Sequence, residues 1–170
     1  MAEKNEVQQR IERARQLLGA VRHAAMATVN EDGSPHNTPY FFMYDEKFEN
    51  LYWGSHPDSQ HSQNVKRTKQ IFVVVYDAVE RGGLYVQANE AYQVTAKELP
   101  EALRVHNFFR ATEGKEPLPE SQFKGKNPQR MYKANVTNLW VTLAERGKDG
   151  QMIRDIRIPI SHQDLLGGNI

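Results

Sequence analysis

Short β-rich segments separated by turns follow one another along the chain after residue 23. The runs AAMATVN (24–30) and HNTPYFFMYD (36–45) flank Asp32-Gly33, a dipeptide that favours the tight turn of a β-hairpin. Further runs of this kind are LYWGS (51–55), QIFVVVYD (70–77), LYVQANEAYQVT (84–95), RMYKANVTNLWVTLAE (130–145) and IRDIRIPI (153–160). Because closure removes exposed strand edges, the pattern predicts a mainly β (α+β) fold, a small antiparallel barrel of six or seven strands.

Two segments depart from this β pattern. Residues 1–20 are mostly strong helix formers, with apolar side chains at helical spacing. Residues 97–129 combine a helical stretch, LPEALRVHNFFRATEG, with a loop rich in Pro and Lys. We interpret them as a leading helix and an insertion on the rim of the barrel, within a single domain that spans residues 1–170.

Composition excludes several classes of protein. With 22 Lys and Arg against 21 Asp and Glu, the net charge of +1 gives no global field that would attract nucleic acid or an anionic membrane. The chain has no cysteine, which fits a reducing compartment. The charged N-terminus lacks the apolar core of a signal peptide, and no later segment is long enough to span a bilayer. We expect a soluble cytoplasmic protein that binds a small molecule.

The stretch WGSHPDSQHSQNVKRTK (53–69) leaves a strand, crosses a polar loop and enters a short basic helix. Hydroxyl groups, imidazole rings and the free backbone N–H groups of a helix start suit an anion such as a phosphate. In the competing structural interpretation, Ser59 caps the helix, and His61 and Asn64 only decorate its first turns. The residues alone leave both interpretations open.

A metal site is not expected. Of the six histidines, only His56 and His61 are close in sequence, and their spacing suits neither face of a helix. No HExxH motif or acidic cluster accompanies them.

The order ATVNEDGSPHNTPYFFMYD, LYWGSHPDSQHSQNV, QIFVVVYDA and GGLYVQANEAYQV resembles the pyridoxamine 5′-phosphate oxidase-like family of FMN-binding split barrels. The resemblance is close over residues 21–95 and resumes more weakly at RMYKANVTNLWV and DIRI. Its sharpest piece is Ser59-x-His61 followed by Asn64, which is similar to the family's Ser-x-Lys/His element at the flavin phosphate. The resemblance implies FMN as cofactor, bound at the interface of a homodimer.

The same resemblance implies cofactor contacts from four places along the chain. The residues concerned are Thr38, Pro39, Tyr40 and Phe41; Trp53, Gly54 and Ser55; Ser59, Gln60 and His61; and, from the partner subunit, Trp140 and Arg157. It identifies no residue that must act as a catalytic acid or base.

This chain also departs from the family pattern. The family's vitamin-salvage oxidases carry an Arg and a Lys on the second strand, where this sequence has Thr38 and Met43. We therefore expect a flavin-dependent oxidoreductase whose substrate is not pyridoxamine 5′-phosphate. The alternatives left open are a deazaflavin-dependent enzyme, a haem-binding relative and a non-catalytic flavin-binding or sensing protein.

Overall fold

The computed structural model describes residues 2–77 and 82–167. The elements in chain order are α1 (Ala2–Ala20), β1 (His23–Val29), β2 (Pro35–Phe41), β3 (Met43–Tyr44), β4 (Asn50–Ser55), α2 (Gln60–Thr68), β5 (Gln70–Val75), β6 (Leu84–Gln93), α3 (Leu99–Thr112), β7 (Arg130–Arg146), β8 (Met152–Ile160) and α4 (His162–Leu166). A 3₁₀ helix, Glu120–Phe123, lies between α3 and β7. Within the described ranges, none of the helices has the length and apolar character needed to cross a membrane.

The strands form one antiparallel sheet that curls back on itself. Its order is β2-β1-β5-β6-β7-β4-β3, and β8 pairs with the outer part of β7. The end strands β2 and β3 are consecutive pieces of chain on either side of Phe42. The predicted antiparallel split barrel, with its leading and inserted helices, is confirmed. The described strands number eight rather than six or seven, because the second predicted strand breaks at Phe42.

The sheet is open between β2 and β4. Strand β3 pairs with β4, whereas β2 turns away and pairs with β1. Extending the register of β3 and β4 would place Phe41 opposite Gly54, but Phe41 pairs with His23 instead. Helix α2 follows β4 and packs on both β1 and β2. We name the opening bounded by β2, the end of β4 and the start of α2 the split.

The prolines of β2 suit the border of this split. The N–H of Phe42 donates to the carbonyl of Arg22, so every second residue before Phe42 also bonds to β1. Pro35 and Pro39 occupy the alternate positions, where the backbone nitrogen points away from β1. A proline lacks the N–H that would stay unpaired there. The edge of β2 at Pro39 therefore faces away from the rest of the sheet.

Two apolar clusters hold the fold together. The larger lies inside the barrel and includes Leu17 of α1 with Met26, Phe42 and Trp53. In the smaller cluster, α3 and the 3₁₀ helix pack against β3, β4 and β7. Its buried members are Met43, Tyr52, Val94, Leu99, Ala102, Val105, Phe109, Phe123 and Met131. The inserted segment thus forms a wall beside the strands that border the split.

Candidate functional site

The start of α2 has no side-chain cap. Ser59 occupies the N-cap position with an extended backbone, but its side chain accepts no hydrogen bond from the helix. Its Oγ donates instead to the carbonyl of His56, 2.9 Å away. The structure therefore does not support Ser59 as a side-chain cap. Within the described residues, the first turn of α2 offers its N–H groups to an anion.

Three hydroxyl groups and an imidazole meet beside this helix start. The Nε2 of His61 lies 2.7 Å from the Oγ of Ser55 and 3.2 Å from the Oγ of Ser59. The Oγ of Ser62 donates to that of Ser55 at 3.1 Å. Ser55 and Ser62 are buried, whereas His61 is only partly covered. We name Ser55, Ser59, His61 and Ser62 the serine–histidine cluster.

The imidazole of this cluster favours its neutral form when no anion is present. Burial lowers the pKa of His61, and the charge of His36 lowers it further. A neutral ring accepts a hydrogen bond from a serine hydroxyl, and a nearby anion favours the protonated form. The cluster can therefore take up a proton when it binds a phosphate.

Asn64 fixes α2 on the barrel. Its side chain is 2% exposed, and its Nδ2 donates to the Oγ1 of Thr28 and the Oδ1 of Asn30, each at 2.9 Å. The Nε2 of Gln60 donates to the Oδ1 of Asn64 at 3.1 Å. These bonds set the orientation of the helix start relative to β1.

Replacing Asn64 with alanine is expected to lower the free energy of unfolding by about 1–3 kcal/mol, since buried polar partners lose their hydrogen bonds. Chemical denaturation measures the change. Lys66→Ala, at an exposed position of the same helix, is the matched control and is expected to have almost no effect. Equal stability of the two variants would contradict the anchoring role of Asn64.

Strand β2 divides the predicted cofactor residues between its two faces. Thr38 and Tyr40 share a face with His36, whereas Pro39 and Phe41 lie on the other. Tyr40 is buried in the core, where burial raises the pKa of its hydroxyl, and its Oη has no partner among the described residues. Thr38 is half-buried at the split. Of the two residues on this face of β2, Thr38 presents its side chain to the split, whereas Tyr40 packs in the barrel.

Strand β4 borders the split with the backbone at its end, and its Trp53 side chain points into the core. Trp53 is 1% exposed and stacks on Tyr132 with ring centroids 5.5 Å apart. Its indole therefore belongs to the core, and only its backbone is left for a cofactor. A Cβ added at Gly54 would lie 3.1 Å from the Cε1 of Phe123. The 3₁₀ helix consequently reaches the border of the split.

The inserted segment brings two residues to the split that the sequence did not indicate, namely His106 and Phe123. His106 of α3 contacts the rings of Phe41 and Phe123, with centroids 6.2 and 5.2 Å away. The side chain of His106 is 8% exposed, and burial lowers its pKa. Its Nδ1 has no partner in the described chain. The only signal in the sequence is the helical periodicity of α3, which says nothing about contact with β2.

Trp140 and Arg157 lie together on the outer face of the sheet. The guanidinium carbon of Arg157 is 4.4 Å from the ring centroid of Tyr85 and 5.1 Å from that of Phe72. The rings of Phe72 and Trp140 are 6.1 Å apart. Within the described residues, no hydrogen bond or ring contact links this outer group to the serine–histidine cluster. The predicted site residues thus form two groups in one chain.

The comparison with known protein families agrees with this geometry. A family model described as pyridoxamine 5′-phosphate oxidase matches residues 11–144. The chain belongs to the pyridoxamine 5′-phosphate oxidase family. The matched range includes β2, β4, α2 and Trp140 but ends before Arg157. The resemblance seen in the sequence is confirmed.

Solved structures show how widely this fold is shared. An F420 reductase is similar with a TM-score of 0.54 and 18% identity, over 73% of this chain and 93% of that chain. A heme binding protein from Mycobacterium smegmatis has a TM-score of 0.62 and 12% identity, over 92% and 60%. A Clostridium acetobutylicum protein related to general stress protein 26 of B. subtilis has a TM-score of 0.59 and 10% identity, over 90% and 96%. No curated protein sequence matches. Identities this low show a common fold and leave the ligand open.

Proposed function

We propose that this member of the pyridoxamine 5′-phosphate oxidase family is a cytoplasmic, homodimeric, flavin-dependent oxidoreductase that binds FMN in the split. The serine–histidine cluster at the uncapped start of α2 carries the proposal. Its hydroxyl groups, imidazole and open N–H groups are the donors that a phosphate group prefers. The lack of cysteine supports the reducing location.

In this proposal, the phosphate is held by Thr38, Ser59, His61 and the first-turn N–H groups of α2, which begins at Gln60. The backbone edge of β2 at Pro39 and Phe41 is offered to the ring system. The flavin, when bound, supplies the electron exchange with a small-molecule substrate. The chain's own residues bind, orient and exclude water.

A visible spectrum of the freshly purified protein tests the cofactor. FMN absorbs in the blue and fluoresces on release, a deazaflavin absorbs at shorter wavelength, and haem gives an intense Soret band. The deazaflavin and haem alternatives draw support from the similar F420 reductase and heme binding protein. A non-catalytic flavin-binding or sensing protein would also show the flavin spectrum but no turnover with any reductant and oxidant. Failure to bind FMN in a titration of the apoprotein would contradict the proposal.

Replacing His61 with alanine is expected to weaken FMN binding by about 1.5–3 kcal/mol, the cost of a hydrogen bond to a charged group. The fold should remain intact, because His61 is only partly buried. Fluorescence titration with FMN measures the affinity, and a thermal melt checks the fold. Ser59→Ala is expected to cost a comparable amount, since the Ser59 side chain does not cap the helix. Unchanged FMN affinity in His61→Ala, with a normal melt, would contradict the phosphate role of His61.

Pyridoxamine 5′-phosphate is expected not to be a substrate. Neither Thr38 nor Met43 has a charged side chain, and Met43 is also fully buried, so neither can offer a cation to the substrate. Each missing charge-assisted contact removes about 1.5–3 kcal/mol of binding. Steady conversion to pyridoxal 5′-phosphate by the FMN-loaded protein, at the rate of a dedicated oxidase, would contradict this expectation.

A further inference from the structure

His36 is a polar residue at the split that neither the sequence motif nor the family resemblance marks. It lies on β2 directly opposite Thr28 of β1. The Oγ1 of Thr28 accepts a hydrogen bond from Asn64 of α2 at 2.9 Å. Asn64 therefore lies over the pair of strands that carries His36. His61 precedes Asn64 by three residues, so it projects from the same face of α2.

His36 also shares a face of β2 with Thr38, two residues further along. It is only partly covered, so a ligand can reach it. Helix α2 packs on β2 as well as on β1, which places His61 and His36 on the two sides of the split. The charge of His36 lowers the pKa of His61, in agreement with this placement. The serine–histidine cluster lies on the α2 side of this pair.

We propose that His36 and His61 together bind the cofactor phosphate, one from β2 and the other from α2. This inference rests on the proposed function, since it names a second ligand for the same anion. Without an anion, two protonated imidazoles that face each other across the split repel each other. A phosphate dianion between them offsets the repulsion and favours the protonated form of His61. Phosphate binding is therefore coupled to proton uptake.

Other titratable and charged groups lie on the segments that carry or adjoin the pair. They are Glu31 and Asp32 in the β1–β2 turn, His56 and Asp58 before α2, Lys66 and Arg67 on α2, and Arg130 on β7. Five of these groups have partners of their own: Asp32 accepts from Ser34, His56 pairs with Asp58, Arg67 donates to the carbonyl of Val29, and Arg130 donates to the carbonyls of Asn127 and Gln129. Apart from burial, His36 is the group that lowers the pKa of His61.

The sign of the pH dependence follows from this coupling. Free His61 has a pKa below its ordinary value, and a bound dianion raises that pKa. Between the two values the complex holds a proton that the free protein does not. FMN affinity therefore falls as the pH rises through this window and levels off above the pKa of the complex. Riboflavin has the same ring without the phosphate, so its affinity should not change with pH.

The experiment titrates the full-length apoprotein with FMN and with riboflavin from pH ~6.5 to ~8.5. For wild type we expect the FMN dissociation constant to rise with pH, by up to about tenfold per unit for each proton taken up. His36→Gln should weaken FMN binding by about tenfold or more at the lowest pH, flatten the slope and leave riboflavin binding unchanged. His162→Gln, on α4 and outside the split, is the matched control and should behave as wild type.

The outcomes separate this inference from the proposed function. Wild-type FMN affinity in His36→Gln at every pH would overturn the histidine pair and leave FMN binding intact. An equal pH dependence for FMN and riboflavin would also overturn it, since the titrating group would then not sense the phosphate. Binding of neither flavin by wild type would overturn both proposals. Circular dichroism of each variant verifies that it is folded.

Discussion

Replacing Trp53 with alanine is expected to lower the free energy of unfolding by about 3–5 kcal/mol, because the change opens a cavity in the barrel core. Trp53 is 1% exposed, stacks on Tyr132 and meets the ring of Tyr40 edge-on at 6.4 Å. Urea denaturation followed by circular dichroism measures the loss. A loss of less than about 1 kcal/mol would show that Trp53 is not a main packing residue of the core.

Trp53→Phe separates core packing from cofactor contact. The Nε1 of Trp53 is buried and has no hydrogen-bond partner among the described residues. Phenylalanine removes this unsatisfied group and keeps an aromatic ring against Tyr132, so we expect a cost of only about 1–2 kcal/mol. FMN affinity should stay within about twofold of wild type. A large loss of FMN affinity in folded Trp53→Phe would instead establish that the indole contacts the flavin.

The β pattern predicted the barrel well because hairpin signals act over short distances. Asp32-Gly33 joins β1 to β2 as expected, and β1 has the length that its β-rich run indicates. The break at Phe42 was missed, because HNTPYFFMYD has no turn residue at that point. Its cause is topological: β2 must pair with β1 and β3 with β4. No local signal encodes a strand that changes partners.

The grouping of the candidate site residues could be predicted only as far as these residues are close in sequence. Ser59 and His61 belong to one loop and helix start, and the structure brings them together with Ser55. His36 and His106 come from other segments and reach the split only after the sheet curls and α3 packs beside it. Contacts of this range depend on the fold and have no signature in the sequence.

Alternation along a strand explains a second difference. The resemblance implied contacts from four consecutive residues, 38–41, but consecutive side chains of a strand point to opposite faces. Tyr40 consequently packs in the core. The two faces can serve one ligand only through the backbone edge of β2, where Pro39 leaves no N–H facing away from β1. The shape of the site therefore depends on this edge as well as on side chains.

The aromatic and arginine side chains around Trp140 and Arg157 form a candidate surface for contact with a second subunit. The Arg157 guanidinium covers the rings of Tyr85 and Phe72, and Trp140 extends the same surface. Arginine and aromatic side chains of this kind dominate the binding energy of many protein interfaces. We therefore propose that this surface of one protomer completes the flavin site of its partner in the homodimer.

Arg157→Glu is therefore expected to weaken both dimerisation and FMN binding, each by about 2 kcal/mol or more. The substitution replaces a cation stacked on two rings by an anion, which repels the electron-rich ring faces and the flavin phosphate. Light scattering measures the mass, and an FMN titration measures the affinity.

Arg154→Glu, three residues away on the opposite face of β8, is the matched control for this substitution. It disturbs only the surface pair with Glu145 and should remain dimeric. A wild-type protein that is monomeric with FMN bound would contradict the shared site. If Arg157→Glu stays dimeric and binds FMN like wild type, the outer group has no part in either interface or cofactor.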